Sequence, residues 1–594
     1  MKTIWFKAVM VLFLIVLFGC KTEKENPAPN VIIVITDDQG YGDLACHGNP
    51  WIITPQMDKL FEESIRFTNY HCGTTCAPTR AGLMTGKNCN HVNVWHTILG
   101  RELLRKEEYT LADAFTDNGY KTGMFGKWHL GDNFPFRPHD RGFQEALYHK
   151  AGGVGQAPDY WNNDYFDDTY FRNGEPEKFE GYCTDIWFDE AIKFIEKNKE
   201  NPFFCYISTN APHGPFRVAK KYSDIYDKNP EITNASFYGM ITNIDNNLKI
   251  LDEKLNGWGL KNNTIFIFTT DNGTSAGVKL DNKGFIQKGY NAGMRGMKVS
   301  KYEGGHRVPF FVRWPENNFV GGKDIKSISS YTDVFPTLAD YCNLDLPESL
   351  EFDGISLRDY FEGNVPKDRV VITDTQRMKE LKKWKDCSIM TNKWRLIDGK
   401  ELYDMETDPG QKTDVAESHP EVVEKLKQEY ELWWEKVSKN GQDPTEISVD
   451  FSKEHPVILS SHDLISDGFI TWNQNQLRNL TEADGHWALN FAEEKEYEIQ
   501  LFRWSPEANL PLNAEAPSGD IDEAGQLYPV GKAFDVQKAW IKIAGQNQEI
   551  TSNLDASQPF VSFKMTVPAG SHELETGMID SEGVERAAYY VRIL

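Results

Sequence analysis

Short apolar runs, separated by stretches with helical spacing, dominate the first half of the chain. The runs predict strands at residues 31–36, 120–125, 202–209, 264–270 and 310–313. Apolar positions three and four apart predict helices at residues 110–119, 184–199 and 236–255. Strands that alternate with helices predict an α/β fold, a mostly parallel sheet sandwiched by helices.

The pattern changes towards the C-terminus. A hairpin at residues 393–405 and a helix at 420–437 predict a small antiparallel subdomain over residues 393–441. Alternating runs at 497–502, 539–543, 561–567 and 588–593 predict an all-β sandwich over residues 442–594. The sandwich could bind polysaccharide through its aromatic residues, but we expect it to pack on the catalytic domain or complete a pocket.

Polar residues of a chemically useful kind follow four of the predicted strands. They are Asp37 and Asp38, Lys127 and His129, His213, and Asp271 and Asn272. Ligands of open α/β sheets bind outside the carboxyl ends of the strands. Adjacent carboxylates select a hard cation such as Ca²⁺ or Mg²⁺. Each motif alone could be a solvated or structural turn, but four together predict one site.

A cysteine stands before a predicted helix in the stretch Cys76-Ala77-Pro78-Thr79-Arg80. Pro78 suits the first turn, where no amide donor is needed. The helix end favours negative charge, and the Arg80 guanidinium could face the same place. The stretch therefore indicates chemistry on an oxyanion, with a buried structural cysteine as the alternative.

Length and charge narrow the class of protein. A chain of 594 residues is too long for one core. Its formal charge of −24 argues against nucleic acid as a partner, so an anionic substrate needs a local basic cluster. Residues 151–182, rich in Gly, Asp, Asn and aromatic side chains, are predicted to be a long surface loop that shapes a binding pocket.

The N-terminus has the pattern of an export signal. Lys2 and Lys7 precede an apolar run, which is too short to span a bilayer and ends in Leu17-Phe18-Gly19-Cys20. This ending looks like a bacterial lipobox. We expect residues 1–20 to be a lipoprotein signal peptide, Cys20 the lipidated residue, and residues 21–29 a tether that leaves the protein in the periplasm or at the cell surface, anchored to the outer membrane.

The motifs together resemble the formylglycine-dependent sulfatases of the alkaline-phosphatase-like superfamily. The resemblance covers about residues 30–440 and rests on Cys76-x-Pro78-Thr79-Arg80, Gly126-Lys127-Trp128-His129, and Lys298 before Glu303-Gly304-Gly305. It implies a catalytic domain over residues 30–392. Thr79 stands where serine is commoner, and Lys87 where arginine often ends the motif.

The resemblance also implies the roles of the site residues. Cys76 would be oxidised to formylglycine by a formylglycine-generating enzyme or an anaerobic maturase, and Arg80 would orient it. One Ca²⁺ would be bound by Asp37, Asp38, Cys76, Asp271 and Asn272. Lys127 and Lys298 would bind the sulfate, while His213 and His129 would act as acid and base. Arg217, Arg295 and His306 lie beside these motifs and are added as candidate substrate contacts.

The predicted function is hydrolysis of sulfate monoesters, on a sulfated polysaccharide or its oligosaccharides. A general arylsulfatase and a phosphatase or phosphodiesterase of the same superfamily are the alternatives among enzymes. Two-zinc members of the superfamily typically have Asp-His where this chain has Asp271-Asn272, which favours a sulfatase. An inactive, glycan-binding lipoprotein is the non-enzyme alternative.

Overall fold

A ten-stranded sheet forms the centre of the N-terminal region in the computed structural model, which describes residues 28–364, 369–551 and 554–594. Its five central strands are parallel: Thr264–Thr270, Asn30–Thr36, Phe203–Ser208, Lys121–Lys127 and Glu145–His149. Asp324–Ile325, Ile65–Phe67 and Phe310–Arg313 extend one edge, and Thr169–Arg172 and Glu175–Lys178 the other. The mostly parallel sheet predicted from the alternation is confirmed.

Both faces of the sheet are covered, as the uninterrupted apolar strands require. In the first strand Ile33 and Ile35 belong to one hydrophobic core, and Ile32 and Val34 to another on the opposite face. The longer helices of this region are Pro55–Glu63, Cys76–Thr85, Leu111–Asp117, Cys183–Asn198, Ala235–Gly257 and Val334–Tyr341. Short helices span Lys220–Ser223, Glu303–His306 and Arg358–Glu362.

The register of the central strands brings their carboxyl ends to one edge. Thr36 pairs with Thr270, Ile35 with Ser208, and Ser208 in turn with Gly126. The residues that follow these positions therefore meet in space although they are far apart in sequence.

A four-stranded antiparallel sheet lies after the main sheet. Its strands are Val371–Asp374, Cys387–Met390, Trp394–Ile397 and Glu401–Asp404, and the helix Pro420–Val437 packs on it through Leu426 and Tyr430. The sheet begins upstream of residue 393, where the subdomain was predicted to start. All four strands have four residues, but only the last two form the hairpin that the sequence analysis predicted.

Two sheets share one core in the C-terminal region, and their strands pair antiparallel except for Ile447–Val449, which runs parallel to His486–Phe491. The first contains Ile447–Val449, His486–Phe491, Gly570–Asp580, Val536–Ile543, Gln546–Ile550 and Glu585–Arg586, and the second Val457–Ser460, Tyr590–Ile593, Lys495–Phe502 and Phe560–Val567. The short helix Gln474–Arg478 and the hairpin Ile521–Asp522 and Gly525–Gln526 connect them. Their shared core shows the predicted sandwich, and it includes Leu103, Phe136 and Trp161 of the N-terminal region.

The segment 151–182 is not the surface loop that its composition indicated. Most of residues 151–165 are buried, and the segment adds the strands Thr169–Arg172 and Glu175–Lys178 to the edge of the main sheet. The segment bonds to the C-terminal region; the Tyr528 hydroxyl, for example, donates to the backbone carbonyl of Asn163 over 2.6 Å.

The predicted signal peptide, Cys20 and most of the tether lie outside the described residues. No helix within the described ranges has the length and apolarity needed to cross a bilayer.

Candidate active site

Cys76 is the first residue of the helix Cys76–Thr85, whereas the sequence analysis placed it just before the helix. Pro78 fits the third position because the first turn of a helix leaves its amides unpaired. The thiol is buried, and its Sγ lies 3.1 Å from Oδ1 of Asp37 and 3.6 Å from Nζ of Lys298. Burial raises the pKa of the Cys76 thiol well above its usual value. An unmodified Cys76 is therefore a weak nucleophile.

Three carboxylates surround the Cys76 side chain. Asp37, Asp38, Asp271 and Cys76 each present a ligand atom, and these four atoms all lie within 4.8 Å of one another. Asp38 adopts a positive φ of 69°, which turns its side chain beside that of its neighbour. Burial raises the pKa of Asp37, although Lys127 opposes it. Burial is the largest single influence on Asp38 and would raise its pKa, but Lys298, His213 and Lys127 together outweigh it and lower the pKa.

The donor set fits a hard divalent cation. Ca²⁺ binds oxygen ligands at about 2.3–2.6 Å, so ligand atoms within 4.8 Å of one another can share one ion. Oδ1 of Asn272 is buried beside them and has no hydrogen-bond partner among the described residues, while its Nδ2 donates to Asp38 over 2.9 Å. An unpartnered buried oxygen next to three carboxylates is the arrangement that a cation would complete.

Two lysines approach the carboxylates from different elements. Nζ of Lys127 lies 2.6 Å from Oδ2 of Asp37, and Nζ of Lys298 lies 2.6 Å from Oδ1 of Asp38. Backbone hydrogen bonds from Lys298 to Thr274 and from Val299 to Thr74 hold the second loop against the site. This pair is the local basic cluster that the chain's negative charge requires for an anionic substrate.

Arg80 supports the site rather than lining it. Its Nε and Nη2 donate to Oδ2 of Asp271 over 3.1 and 2.8 Å, and its Nη1 donates to the Lys127 carbonyl over 3.3 Å. Arg80 is only 1% exposed. Its hydrogen bonds hold the helix that begins at Cys76 against the ends of two strands.

Only one of the two ring nitrogens of His129 has a hydrogen-bond partner among the described residues. Its Nε2 donates to the Thr97 carbonyl over 3.0 Å, while Nδ1 is buried without a partner among the described residues. A positive φ of 62° at His129, together with a φ of 113° at Gly126, gives the sharp turn that brings Lys127 and His129 to one site. Burial lowers the pKa of His129 well below its usual value, so the ring is a neutral acceptor.

His213 and Lys298 are more exposed than the other residues of the site. The His213 side chain is 18% exposed and that of Lys298 is 17% exposed. Nδ1 lies 2.6 Å from the Gly214 carbonyl, which can only accept, so Nδ1 carries the proton. Nε2 lies 3.8 Å from Oδ2 of Asp38. Burial and the Lys298 ammonium lower the pKa of His213. The site therefore opens to solvent between His213 and Lys298.

The three added candidates for substrate contact each bond to other groups of the protein. Arg217 is 6% exposed and bonds to the Asp164 carbonyl, Asp522 and the Gly525 carbonyl. It joins the loop after His213 to the C-terminal hairpin.

The other two candidates are also occupied by protein partners. Arg295 donates to the Tyr403 hydroxyl over 3.0 Å and lies over the ring of Tyr302. His306 is fully buried, and its ring contacts His71 and the Lys301 carbonyl. Basic side chains beside a motif can be recruited by tertiary contacts that the motif does not reveal.

The sequence analysis missed a buried cluster behind His129. Nδ1 of His462, in the C-terminal region, lies 3.1 Å from Glu102 and 3.0 Å from Asp463. These hydrogen bonds outweigh burial and raise the pKa of His462 to about 10. The centroid of its ring lies 6.4 Å from that of His129. No local pattern marked this cluster, because its members come from distant parts of the chain.

Comparison with known proteins agrees with the geometry. The sulfatase family model matches residues 29–344, and the model "N-sulphoglucosamine sulphohydrolase, C-terminal" matches residues 297–436. The second match covers the four-stranded sheet and the helix that packs on it.

Named relatives share part of the chain. An arylsulfatase of Hemicentrotus pulcherrimus is 30% identical over 356 residues, covering 56% of this chain and 61% of the relative, which is less than two thirds of its length. An N-acetylgalactosamine-6-O-sulfatase of Bacteroides thetaiotaomicron is 28% identical over 508 residues, covering 69% of this chain and 95% of the relative.

A solved structure is similar over the same region. The crystal structure of Ps i-CgsB in complex with k-i-k-neocarrahexaose has 27% identity and a TM-score of 0.62, covering 70% of this chain and 94% of that one. With the sulfatase model matched over more than half of its length, this chain belongs to the sulfatase family.

Proposed function

We propose that this protein hydrolyses sulfate monoesters through a formylglycine made from Cys76, with one Ca²⁺ at the site. The observation that carries the proposal is the position of Cys76 at a helix end, between three carboxylates and two lysines. Burial disfavours a Cys76 thiolate. A modified Cys76 is therefore a better candidate for the working group than the thiol itself.

Asp37, Asp38, Asp271, Asn272 and the modified Cys76 would hold the cation. The cation would polarise a sulfuryl oxygen, and the hydrated aldehyde would supply one hydroxyl for attack on sulfur and a second for release of sulfate. With the ion bound, the carboxylates of Asp37 and Asp38 would face a divalent cation as well as the two lysines.

The lysines, the arginine and the histidines have separate tasks in this proposal. Lys127 and Lys298 stabilise charge on the sulfuryl oxygens, and Arg80 holds Asp271 and the helix of residue 76 in place. His213 protonates the leaving oxygen from Nε2, because its Nδ1 proton is committed to the Gly214 carbonyl. The negative charge of a bound sulfate ester favours the protonated ring. His129 accepts a proton at Nδ1, its unpartnered nitrogen.

The proposed substrate is a sulfated polysaccharide or an oligosaccharide derived from it. Relatives support this class, including the N-acetylgalactosamine-6-O-sulfatase and the structure crystallised with k-i-k-neocarrahexaose. An oxygen-rich ligand set, with Asn272 after Asp271, favours this over phosphoester hydrolysis by a two-zinc site.

Mass spectrometry and a sulfate-release assay test the proposal. Protein made in a host with a formylglycine-generating enzyme is expected to show the Cys76 peptide as an aldehyde, and to release sulfate from at least one member of a panel of sulfated sugars. Protein from a host without a maturation enzyme should keep the thiol and lack the activity. Equal activity of the two preparations would contradict the role of the aldehyde.

We further propose export with lipid attachment at Cys20, which would place the enzyme in the periplasm or at the cell surface. The support is the pattern of residues 1–20 alone. Cys20→Ala is expected to move the full-length protein from the membrane fraction to the soluble fraction of the native type of host. Unchanged fractionation would refute the anchor.

A further inference from the structure

A cleft of about 510 Å³ begins at His213 and is walled by both halves of the protein. Residues 154–156 and 213–215 form the wall on the N-terminal side. The C-terminal region forms the other wall with Trp472, Asn473, Asn475, Gln476, Asn479, Thr481, Leu527 and Tyr528. Because His213 also faces Asp38, the cleft leads directly from the place where a leaving group would be protonated.

The walls of the cleft carry no Asp, Glu, Lys or Arg. Within the described residues, the Asn475 side chain and the Trp472 indole N–H have no hydrogen-bond partner, and the Trp472 ring is not paired with another aromatic ring. Oε1 of Gln476 accepts the amides of Trp472 and Asn473, which leaves its Nε2 unpaired. The cleft therefore offers one aromatic ring and several neutral hydrogen-bonding groups.

The C-terminal wall is held firmly against the N-terminal region. The Ala157 amide donates to the Trp472 carbonyl over 2.9 Å, and the Gln474 amide donates to the Gly155 carbonyl over 3.0 Å. The buried Gln474 side chain accepts from the Asn162 amide over 2.9 Å. Asn473 caps the helix Gln474–Arg478, which carries Asn475 and Gln476 on a fixed scaffold. Such a wall is preorganised and loses little conformational entropy on binding.

We propose that this cleft binds an uncharged pyranose ring next to the sulfated sugar, with Trp472 stacking on the ring and Asn475 and Gln476 bonding its hydroxyls. This inference rests on the proposed sulfatase function and specifies the kind of sugar next to the sulfated one. A uronic acid or a second sulfate would lose hydration without gaining a lysine or arginine partner, since the walls provide neither and the proposed role of the His213 proton is at the leaving oxygen. The cleft thus selects a neutral neighbour, although the site beside it binds an anion.

The test compares three substrates with the same sulfated ring: the monosaccharide, a disaccharide with a neutral pyranose, and a disaccharide with a uronic acid. The wild type is expected to have the highest kcat/KM on the neutral disaccharide. In Trp472→Ala the ratio of neutral disaccharide to monosaccharide kcat/KM should fall about tenfold, mainly through KM, because a stacked ring contributes on the order of 1.4 kcal/mol. Phe469→Ala, which removes a half-exposed aromatic outside the cleft, should leave the ratio unchanged.

Two results would overturn the inference: an unchanged ratio in Trp472→Ala, or a uronic acid disaccharide cleaved as well as the neutral one. If the wild type releases sulfate from no member of a broad substrate panel, the proposed sulfatase function is wrong instead. A binding experiment distinguishes failure of the sugar-binding cleft from failure of the sulfatase function. Saturation-transfer NMR of the unsulfated neutral disaccharide with Cys76→Ala should show contact that Trp472→Ala abolishes, whether or not sulfate is hydrolysed.

Discussion

The two sides of this active site are built in opposite ways. The side around Cys76 is buried and crowded with charge, and it is assembled from the strand ends of a single sheet together with one helix start and one loop. The side beyond His213 is neutral, half-exposed, and shared between two regions of the chain. Under the proposals above, the bond-breaking chemistry would belong to the family's sheet, and the choice of neighbouring sugar to the appended β-sandwich.

Cys76→Ala should have the largest effect on activity of all the variants. Removing the precursor of the nucleophile is expected to lower kcat by about 10⁴-fold or more, because the remaining groups only bind and polarise the substrate. Sulfate release from the neutral disaccharide measures the loss, with mass spectrometry confirming the aldehyde in the wild type. A fully active Cys76→Ala protein would refute the proposed mechanism.

Lys298→Ala should cost about 10²- to 10³-fold in kcat/KM, since it removes one charge that stabilises the sulfuryl oxygens. Lys301→Ala is the matched control, because Lys301 lies in the same loop but pairs with Asp398. Steady-state kinetics on the monosaccharide measure both. Equal losses in the two variants would mean that the loop, rather than the Lys298 ammonium, matters.

Removal of the cation should lower thermal stability on the charged side. A ligand at a hundred times its dissociation constant stabilises the folded state by about 2.7 kcal/mol. Added Ca²⁺ should therefore raise the Tm of chelator-treated wild type, and raise that of Asn272→Leu less. Asn246→Leu, on an exposed helix face, should keep the full shift. A full Ca²⁺ shift in Asn272→Leu would exclude Asn272 as a ligand.

Arg217→Met tests the contact between the N-terminal and C-terminal regions. The change removes the contacts to Asp522 and Gly525, which loosens the C-terminal hairpin beside the cleft. We expect the preference for the neutral disaccharide over the monosaccharide to fall by about two- to fivefold, from roughly 0.4–1 kcal/mol of lost positioning. An equal fall on both substrates would show that Arg217 supports the whole fold instead.

His462 gives the smallest expected effect, a pH dependence of stability. Its pKa in the folded protein, about 10, exceeds the usual 6.5. Its contribution is therefore complete below about pH 6.5 and is lost as the pH rises towards 10. The Tm of the wild type should fall over that range more than the Tm of His462→Gln. His572→Gln, a variant of a histidine outside that cluster in the same region, should follow the wild type, and parallel curves for His462→Gln and the wild type would contradict the assignment.

Much of the sheet was predictable because each strand carries its own signal. Asn30–Thr36 and Thr264–Thr270 are continuous apolar runs, and their alternate residues enter two cores. The helix Pro420–Val437 has both a proline start and apolar spacing. Strands such as Glu145–His149 were missed, since five residues give too weak a pattern.

The candidate site was predictable where a motif and a strand end coincide. Asp37, Lys127 and Asp271 converge because parallel strands place their carboxyl ends at one edge. Cys76 and Lys298 reach the same place from a helix start and a loop. The protein partners of Arg217 and His306 were not predictable, because proximity in sequence to a motif does not determine which group a side chain bonds to.

The sequence by itself determined the order of strands and helices, the residue types at the strand ends, and the membership of Cys76 in a helix start, because these depend on local periodicity and short motifs. Only the tertiary structure decided that residues 151–165 are buried, that Arg217 joins two regions, and that Trp472 lies across a cleft from His213. The physical reason is that these outcomes depend on contacts between residues hundreds of positions apart, where packing and hydrogen bonding, rather than local propensity, set each partner.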